Sequence, residues 1–598
     1  MREITVPALV QLAPDADLTD LVTSAAERTP HLVQFRRQVA GRWEDITSGQ
    51  FLAEVLGLAR GLVAAGVGPG DRVAIMSRTR YEWTLTDFAL WFAGAVPVPV
   101  YETSSAEQVQ WILADSGAVG CFVENDENRA LVESVRASAP ALALLWSFSG
   151  PDLDRLVADG AAVEASVLDE RRAGLRSDSL ATIIYTSGTT GRPKGCRLTH
   201  GNLRSGTDNA LASLEGVFAP GGSTLLFLPL AHVFARVIEV GCVASGVTLG
   251  HSADVSRLMA DLAEFRPTFI LSVPRVFEKV FNGAQAKATA QGKGRVFDGA
   301  AKVAIRYSEA MDSGGPGLPL RVQHAVCDRF VYGKLRAALG GRTQYAVSGG
   351  APLGARLGHF FRGIGLTVLE GYGLTETSAA STVNTPRHLR VGSVGRPIPG
   401  SGVRIADDGE VLLRGPHVFE GYWQDREATA AVLAADGWFS TGDLGELDED
   451  GFLSITGRKK EILVTATGKN VAPAPLEDRV RAHPLVSQCM VVGDARPYVA
   501  ALITLDAEAL PAWLAAHRRD PATPAGELVA DPQVLAELQR AVDDANRSVS
   551  KAEAVKRFVV LPADFTMEGG QLTPTLKLRR AAVLRDYSAE LELLYSAT

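Results

Sequence analysis

Five cysteines in 598 residues, none of them in a C-x-x-C pair, leave this chain without a disulfide framework or a thiolate zinc site. Cys121, Cys196, Cys242, Cys327 and Cys489 are odd in number and widely scattered, the usage of a reducing compartment. Positive charge is also in deficit: the formal charge is −8 and the pI about 5.8, which argues against a broad nucleic-acid surface. No apolar run is long enough to span a bilayer, since the most apolar stretch, residues 88–101, is short and broken by Pro97 and Pro99. Residues 1–22 contain acids and prolines in place of the basic start and apolar core of a secretory signal. Fixed-period repeats are absent, which excludes a solenoid. These absences predict a cytoplasmic chain with no nucleic-acid partner. The remainder is ordinary globular composition, 46% hydrophobic and 21% charged, at a length that calls for a large composite domain and a smaller one.

One stretch is far from ordinary. Ile183-Ile184-Tyr185 begins as a β-branched strand and breaks into Thr186-Ser187-Gly188-Thr189-Thr190-Gly191-Arg192-Pro193-Lys194-Gly195. The glycines let successive N–H groups approach an anion, four hydroxyls add donors, and Lys194 adds a positive charge. A polyphosphate suits such a loop. It is not a G-x-x-x-x-G-K-[ST] loop, because Lys194 follows proline. A flexible linker is the bland alternative, but a strand lead-in and a Pro-Lys-Gly exit argue against it.

Around this loop, helical periodicity (residues 51–62, 83–93, 108–116) alternates with short apolar runs (72–76, 96–100, 118–123), the β-α-β signature of a mixed, mainly parallel sheet. His232 follows the apolar run 225–230. Alone it reads as a core histidine, and its place past a strand and a proline moves it towards a pocket wall. Residues 282–294, rich in Ala, Gly, Lys and Gln, read as a mobile surface segment. Residues 345–353 and 366–377 each run from a strand into a glycine turn, which predicts their clustering at the carboxyl edge of a parallel sheet. Beside a phosphate loop, Glu376 reads as a magnesium ligand, because magnesium takes few protein carboxylates and fills its octahedron with phosphate and water. Residues 391–459 suggest a small β-subdomain. Asp443, in Thr441-Gly442-Asp443, reads as an Asx turn able to accept ribose hydroxyls. Residues 460–598 read as a small α+β domain. Lys577, taken alone, is a solvated surface lysine.

In their order, residues 185–195, 348–352, 372–376, 440–443 and 457–461 and a late lysine resemble the AMP-forming adenylating enzymes, over nearly the whole chain. Residues 228–236, 273–279 and 573–577 are similar to the long-chain fatty acyl-CoA synthetase branch, in which Lys577 follows Leu576 rather than the glycine common elsewhere in the superfamily. The resemblance implies a large N-terminal α/β domain (residues 1–459) and a mobile α+β lid (460–598) hinged at Lys460. It implies ATP, Mg2+ and coenzyme A, and a fatty acid activated through acyl-AMP with release of pyrophosphate. Position by position, Thr186, Ser187, Gly188, Thr189, Thr190, Gly191 and Lys194 would hold the β- and γ-phosphates. Thr375 would contact the α-phosphate and Glu376 the metal. Tyr372, followed by Gly373, would stack on adenine, with Gly349, Gly350 and Ala351 on its other side, while Asp443 and Arg458 hold the ribose. Lys577 would bridge acyl carboxylate and α-phosphate, which demotes Lys194 to an electrostatic helper. His232, Val233 and Phe234 would gate the acyl pocket, and Gly468 would line the CoA channel after the lid swings.

Three rivals stay open: a fatty acyl-AMP ligase serving a carrier protein, a CoA ligase for another acid, and a nucleotide-binding regulator without chemistry. Peripheral membrane contact would suit a lipid substrate, yet no amphipathic anchor stands out from the sequence. Oligomeric state is not encoded in any motif.

Overall fold

Buried on both faces, Arg72–Met76 forms an inner strand of a parallel sheet ordered Val96–Val100, Arg72–Met76, Gly120–Val123, Leu144–Ser147. In the edge strand Pro97 and Pro99 alternate with valines, so the missing N–H groups fall on the side away from the ladder. There the Thr182 hydroxyl donates to the Pro97 carbonyl at 2.7 Å, and the antiparallel pair Leu180–Thr186 and Lys194–Thr199 packs alongside. The computed structural model from which this fold is read describes residues 1–186, 192–573 and 577–596.

A second sheet orders Ser223–Leu226, Thr248–His251, Val33–Val39 and Arg42–Thr47. A third runs Phe269–Ser272, Tyr345–Ser348 and Thr367–Tyr372 in parallel, then adds the antiparallel strands Thr382–Val383 and Arg396–Pro397. The parallel strands of this sheet end in register, Ser272 beside Ser348 beside Glu370, so the turns that follow gather at one edge. A five-stranded antiparallel sheet follows, ordered Glu3–Thr5, Gly402–Ile405, Glu410–Arg414, Phe439–Leu447 and Leu453–Arg458, and it recruits the chain's first strand. The C-terminal unit has its own core on Val486–Val492, Val499–Leu505 and Val555–Val560, with helices Pro473–Arg481 and Pro532–Asn546 packed against them. The chain is thus mixed α/β, a large N-terminal domain followed by a small one.

One buried ion pair fixes the helix Val233–Ser245 that His232 caps. Arg236 reaches both oxygens of Asp87, at 2.6 and 2.7 Å, and its guanidinium lies 5.4 Å from the rings of Trp83 and Trp91. Both charged side chains are fully buried, so removing one partner would cost about 3–5 kcal/mol.

Two expectations are corrected, and one surface comes as new. Residues 282–290 are not a loose surface segment: they continue the helix Pro274–Ala290, whose Phe277, Val280, Phe281, Ala284 and Ala288 face the core. Ala, Gln and Lys are strong helix formers, and the composition that looked like a loop is that of an exposed helix face. Asp443 is not in a tight turn but inside the strand Phe439–Leu447, where two extra residues bulge opposite Val411. Gly442, at φ +72°, supplies the left-handed step of that bulge. Finally, the helix Leu318–Cys327 has no buried residue and turns its apolar side chains outward, a surface that composition does not disclose.

Candidate active site

The phosphate loop leaves from Thr186 and returns at Lys194, which pair across the two strands. Ser187, Gly188, Thr189, Thr190 and Gly191 lie outside the described residues. Aromatic side chains anchor both ends of the loop. The Tyr185 hydroxyl donates to Asp115 Oδ2 at 2.6 Å, and Trp111 Nε1 donates to the Pro193 carbonyl at 2.8 Å. Trp423 donates its backbone N–H to the Gly195 carbonyl at 2.7 Å and its indole N–H to the Asp115 carbonyl at 3.0 Å.

Next to this anchor, the Lys194 ammonium stands 5.1 Å above the ring of Tyr422, whose hydroxyl donates to Glu376 Oε1 at 2.9 Å. Burial, with the Glu376 charge beside it, raises the Tyr422 pKa, so the phenol stays a donor. Glu376 and Thr375 lie on the single helical turn Thr375–Thr377 that follows Tyr372. Gly373 is required there by close approach: a Cβ would fall 1.6 Å from the Ala379 carbonyl oxygen.

The nucleoside side is a three-residue bridge. Asp443 takes the Tyr372 hydroxyl on Oδ2 at 2.7 Å and Arg458 Nε on Oδ1 at 2.8 Å, and Asp443 and Arg458 are cross-strand partners. Burial and the Asp443 charge raise the Tyr372 pKa. Gly349 packs against Phe234, so a Cβ there would come 3.3 Å from the Phe234 ring. Val233 is buried, whereas Phe234, Gly350 and Ala351 retain solvent contact at the cleft. His232 caps its helix by accepting the Phe234 N–H on Nδ1 at 3.2 Å. Burial, and then the charge of Lys577, lowers its pKa to about 3, so the ring is neutral and carries its proton on Nε2.

Lys577 closes the cleft from the C-terminal unit. Its loop is stitched by reciprocal bonds with Thr573, the Thr573 N–H donating to the Lys577 carbonyl at 2.8 Å and the Lys577 N–H to Thr573 Oγ1 at 3.0 Å. The side chain is exposed to solvent. Burial and the Arg458 charge lower its pKa, while Asp443, Glu376 and Glu461 raise it. One ammonium therefore shares its electrostatic surroundings with Glu376, Asp443 and His232 together.

The docked position of this unit rests on ion pairs and a hydrogen bond that the sequence did not signal. Arg275, in the first turn of Pro274–Ala290, lies 3.4 Å from Asp506, Lys279 lies 2.9 Å from Glu508, and Arg356 reaches the Ala482 carbonyl at 3.4 Å. Lys459 pairs with Asp408 at 2.5 Å and Glu410 at 2.9 Å, while the adjoining Lys460 is exposed and makes no ion pair among the described residues. Gly468 is not brought to the cleft. At φ +78° it turns the hairpin Leu463–Val464 and Asn470–Val471 on the solvent side of the C-terminal unit. Tyr422 was also missed, although the aromatic run Phe419-Glu420-Gly421-Tyr422-Trp423 was there to be read.

No group of three or more His, Cys, Asp and Glu side chains forms a closed metal cage among the described residues. The donor set instead fits a cation carried largely by phosphate, because Glu376 offers one carboxylate whose Oε2 has no hydrogen-bond partner among those residues.

With this geometry in hand, the comparisons are specific. The AMP-binding enzyme family matches residues 22–423, and the AMP-binding enzyme C-terminal domain matches residues 460–598. Long-chain-fatty-acid–CoA ligase FadD15 of Mycobacterium tuberculosis (strain ATCC 25618 / H37Rv) is 51% identical over 599 residues, all of both chains. Among solved structures, the anthranilate CoA ligase AuaEII in complex with anthranoyl-AMP superposes with a TM-score of 0.73 at 18% identity, covering 97% of this chain and 99% of that one. O-succinylbenzoate coenzyme A synthetase (MenE) of Bacillus subtilis, in complex with ATP and magnesium ion, gives 0.66 at 21% identity, covering 94% and 98%. Spanning well over half of its length and adding the C-terminal domain that goes with it, the match makes this chain a member of the AMP-binding enzyme family.

Proposed function

We propose that this chain activates long-chain fatty acids to acyl-CoA, first forming acyl-AMP with release of pyrophosphate, then passing the acyl group to the thiol of CoA. The observation that carries the reading is the preformed pair of sites on neighbouring strands and turns, the Tyr372–Asp443–Arg458 bridge and the Tyr422–Glu376 contact beside Lys194, with the charge of Lys577 felt at both. The full-length likeness to a long-chain-fatty-acid–CoA ligase supports the substrate class.

The first half-reaction brings a carboxylate to a polyphosphate. Two unit charges about 4 Å apart repel by about 1 kcal/mol in water and about 4 kcal/mol at an effective dielectric near 20, so the site must supply positive charge and fixed donors. Lys577 would supply the mobile charge, placed between acyl carboxylate and α-phosphate with Thr375 beside it. His232 would present its Nε2–H at the acyl end, with Val233 and Phe234 as the wall through which the chain enters. Asp443 and Arg458 would accept and orient the ribose, and the Tyr372 face, opposite Gly349–Gly350–Ala351, would take adenine. Lys194 and the residues from Thr186 to Gly191 would hold the departing pyrophosphate. Magnesium, held by Glu376, would neutralise phosphate charge when bound.

For the second half-reaction the C-terminal unit would turn about Lys460, withdrawing Lys577 and bringing Gly468 to the CoA path. What supports this split is that the charge of Lys577 is felt by Glu376, Asp443 and His232, whereas Gly468 lies exposed at the turn of the hairpin Leu463–Val464 and Asn470–Val471. We place the domain boundary at residues 459 and 460 on the same grounds, and the chemistry in a reducing cellular compartment with peripheral contact to membranes.

A panel of carboxylic acids from short to very long, incubated with ATP and CoA and read by AMP release and thioester formation, tests the reading. Turnover is expected to be highest with long-chain acids and dependent on CoA. AMP release without thioester would favour the carrier-protein ligase, and no turnover with any acid would leave a nucleotide-binding regulator.

A further inference from the structure

Most amphipathic helices turn their apolar side to the core; the helix Leu318–Cys327 and the π turn Asp328–Tyr332 that continues it do the reverse. Leu318, Val322, Val326 and Phe330 recur every fourth residue, which puts them on one stripe, and they are 75%, 64%, 54% and 67% exposed. The inner side is held by other contacts. His324 stacks on Tyr307 at 3.8 Å and bonds the Gly363 carbonyl at 2.6 Å, and Cys327 and Val331 pack at the margin of the core. Single exposed apolar residues need no explanation, but four in a row on a well-anchored helix form a surface.

Its electrostatic setting says what covers it. Residues 279–342 hold eleven lysines and arginines against four acids, a local surplus of seven positive charges in a chain whose formal charge is −8. Arg321, Arg329 and Lys334 flank the stripe, all three exposed, and Arg329 and Lys334 make no ion pair among the described residues. A symmetric second copy would press two such positive lobes together, which disfavours self-association through this face. A nucleic acid would have no use for the apolar stripe. An apolar ridge bordered by unpaired cations fits the interface of a bilayer that carries anionic headgroups.

We propose that Leu318, Val322, Val326 and Phe330, with Arg321, Arg329 and Lys334 beside them, form a docking surface for anionic lipid bilayers. The surface stands on exposure and charge; only its use, to meet an acid that partitions into membranes, rests on the function proposed above. No helix among the described residues is long and apolar enough to cross a bilayer, so the contact is one of lying on the surface.

The test is flotation of the full chain with vesicles, in the absence of fatty acid, ATP and CoA. Binding to phosphatidylcholine vesicles containing phosphatidylglycerol is expected, and roughly fivefold weaker binding or less to phosphatidylcholine alone. Val322→Asp combined with Phe330→Asp should lower the bound fraction about tenfold. Arg329→Gln combined with Lys334→Gln should lower it about tenfold as well and flatten its salt dependence, without touching the apolar stripe. AMP release with a short water-soluble acid, measured on the same preparations, reports folding and tests the proposed catalysis separately. The proposal is overturned if the wild-type chain does not float, if both double variants float as well as it does, or if Val322→Asp/Phe330→Asp converts an oligomer into a monomer in size-exclusion chromatography.

Discussion

Asp443 and Lys577 share one cleft but are held there in different ways. Asp443 sits inside a five-stranded sheet, 4% exposed, with one oxygen taken by Tyr372 and the other by Arg458. Lys577 comes from another unit, on a short loop tied to itself through Thr573, and its unit is held in place by Arg275, Lys279 and Arg356 at the rim. The first arrangement is preorganised, with bonds satisfied before a nucleotide arrives. The second is delivered, and ion pairs at a partly solvated rim are worth only about 0–1 kcal/mol each. On the proposed mechanism, such a site would keep its nucleotide-binding half constant while exchanging the group that does the first chemistry.

The largest expected effect separates the two halves outright. Lys577→Ala should slow acyl-AMP formation roughly 10²–10³-fold, the scale of losing a donor aimed at developing charge. The Asp443 bridge should survive, so nucleotide affinity changes little and CoA still attacks supplied acyl-AMP. Single-turnover measurement of each half-reaction decides it, and equal loss in both would sink the division of labour. Asp443→Asn reverses the pattern. It keeps the hydrogen bond to Tyr372 but loses the charge facing Arg458, and KM for ATP should rise about tenfold or more with a smaller change in kcat.

The contrast also marks how far the sequence could be read. Local structure was legible: the strand-to-loop run at Tyr185–Thr186, the turn bearing Glu376, and the alternation that announces parallel strands are all local patterns. Long-range pairing was not. Nothing near Asp443 in sequence says that two inserted residues bulge against Val411 and aim its carboxylate at Tyr372. Likewise Tyr422 reaches Glu376, and Trp111 reaches the phosphate loop, only through the fold. Residues 282–290 failed for another reason, since an exposed helix face and a polar loop share a composition. The helix Leu318–Cys327 shows the same limit inverted, because apolar periodicity reveals a stripe but not whether it faces in or out.

If the lysine is delivered by the docked unit, weakening the dock should act on one half-reaction alone. Arg275→Glu with Lys279→Glu sets like charges against Asp506 and Glu508. Acyl-AMP formation is expected to fall about three- to tenfold while thioester formation from supplied acyl-AMP is unchanged or faster. Raising ionic strength to about 0.5 M should produce a weaker version in the wild-type chain, because the Lys279 pair is exposed to solvent and screened. A fall of both half-reactions in parallel would mean that these pairs support the fold and not the dock.

The smallest effect lies at a buried acid that feels charge from the C-terminal unit. Glu370 precedes the Tyr372 turn, and burial raises its pKa from 4.5 to about 7, with Asp478 of the C-terminal unit adding to the rise. The N–H groups of Leu353 and Gly392 act in the opposite sense. Between these two values the folded protein keeps a proton that the unfolded chain has released. The stabilisation is therefore complete below about pH 4.5 and is lost as pH rises through about 7. Above that, ionised Glu370 adds a buried negative charge on the side from which the Asp478 charge already acts on it, which would disfavour the docked arrangement of the C-terminal unit. Glu370→Gln keeps an acceptor for the Leu353 N–H and removes the titration. Its melting temperature should match wild type at about pH 5 and exceed it by a few degrees at about pH 8.5, corresponding to about 1–3 kcal/mol. Acyl-AMP formation, which on the proposed mechanism needs the docked unit, should lose part of its decline at alkaline pH, while thioester formation from supplied acyl-AMP keeps the wild-type profile. An unchanged pH profile for adenylation would confine Glu370 to the stability of the sheet and leave the dock to the rim pairs alone.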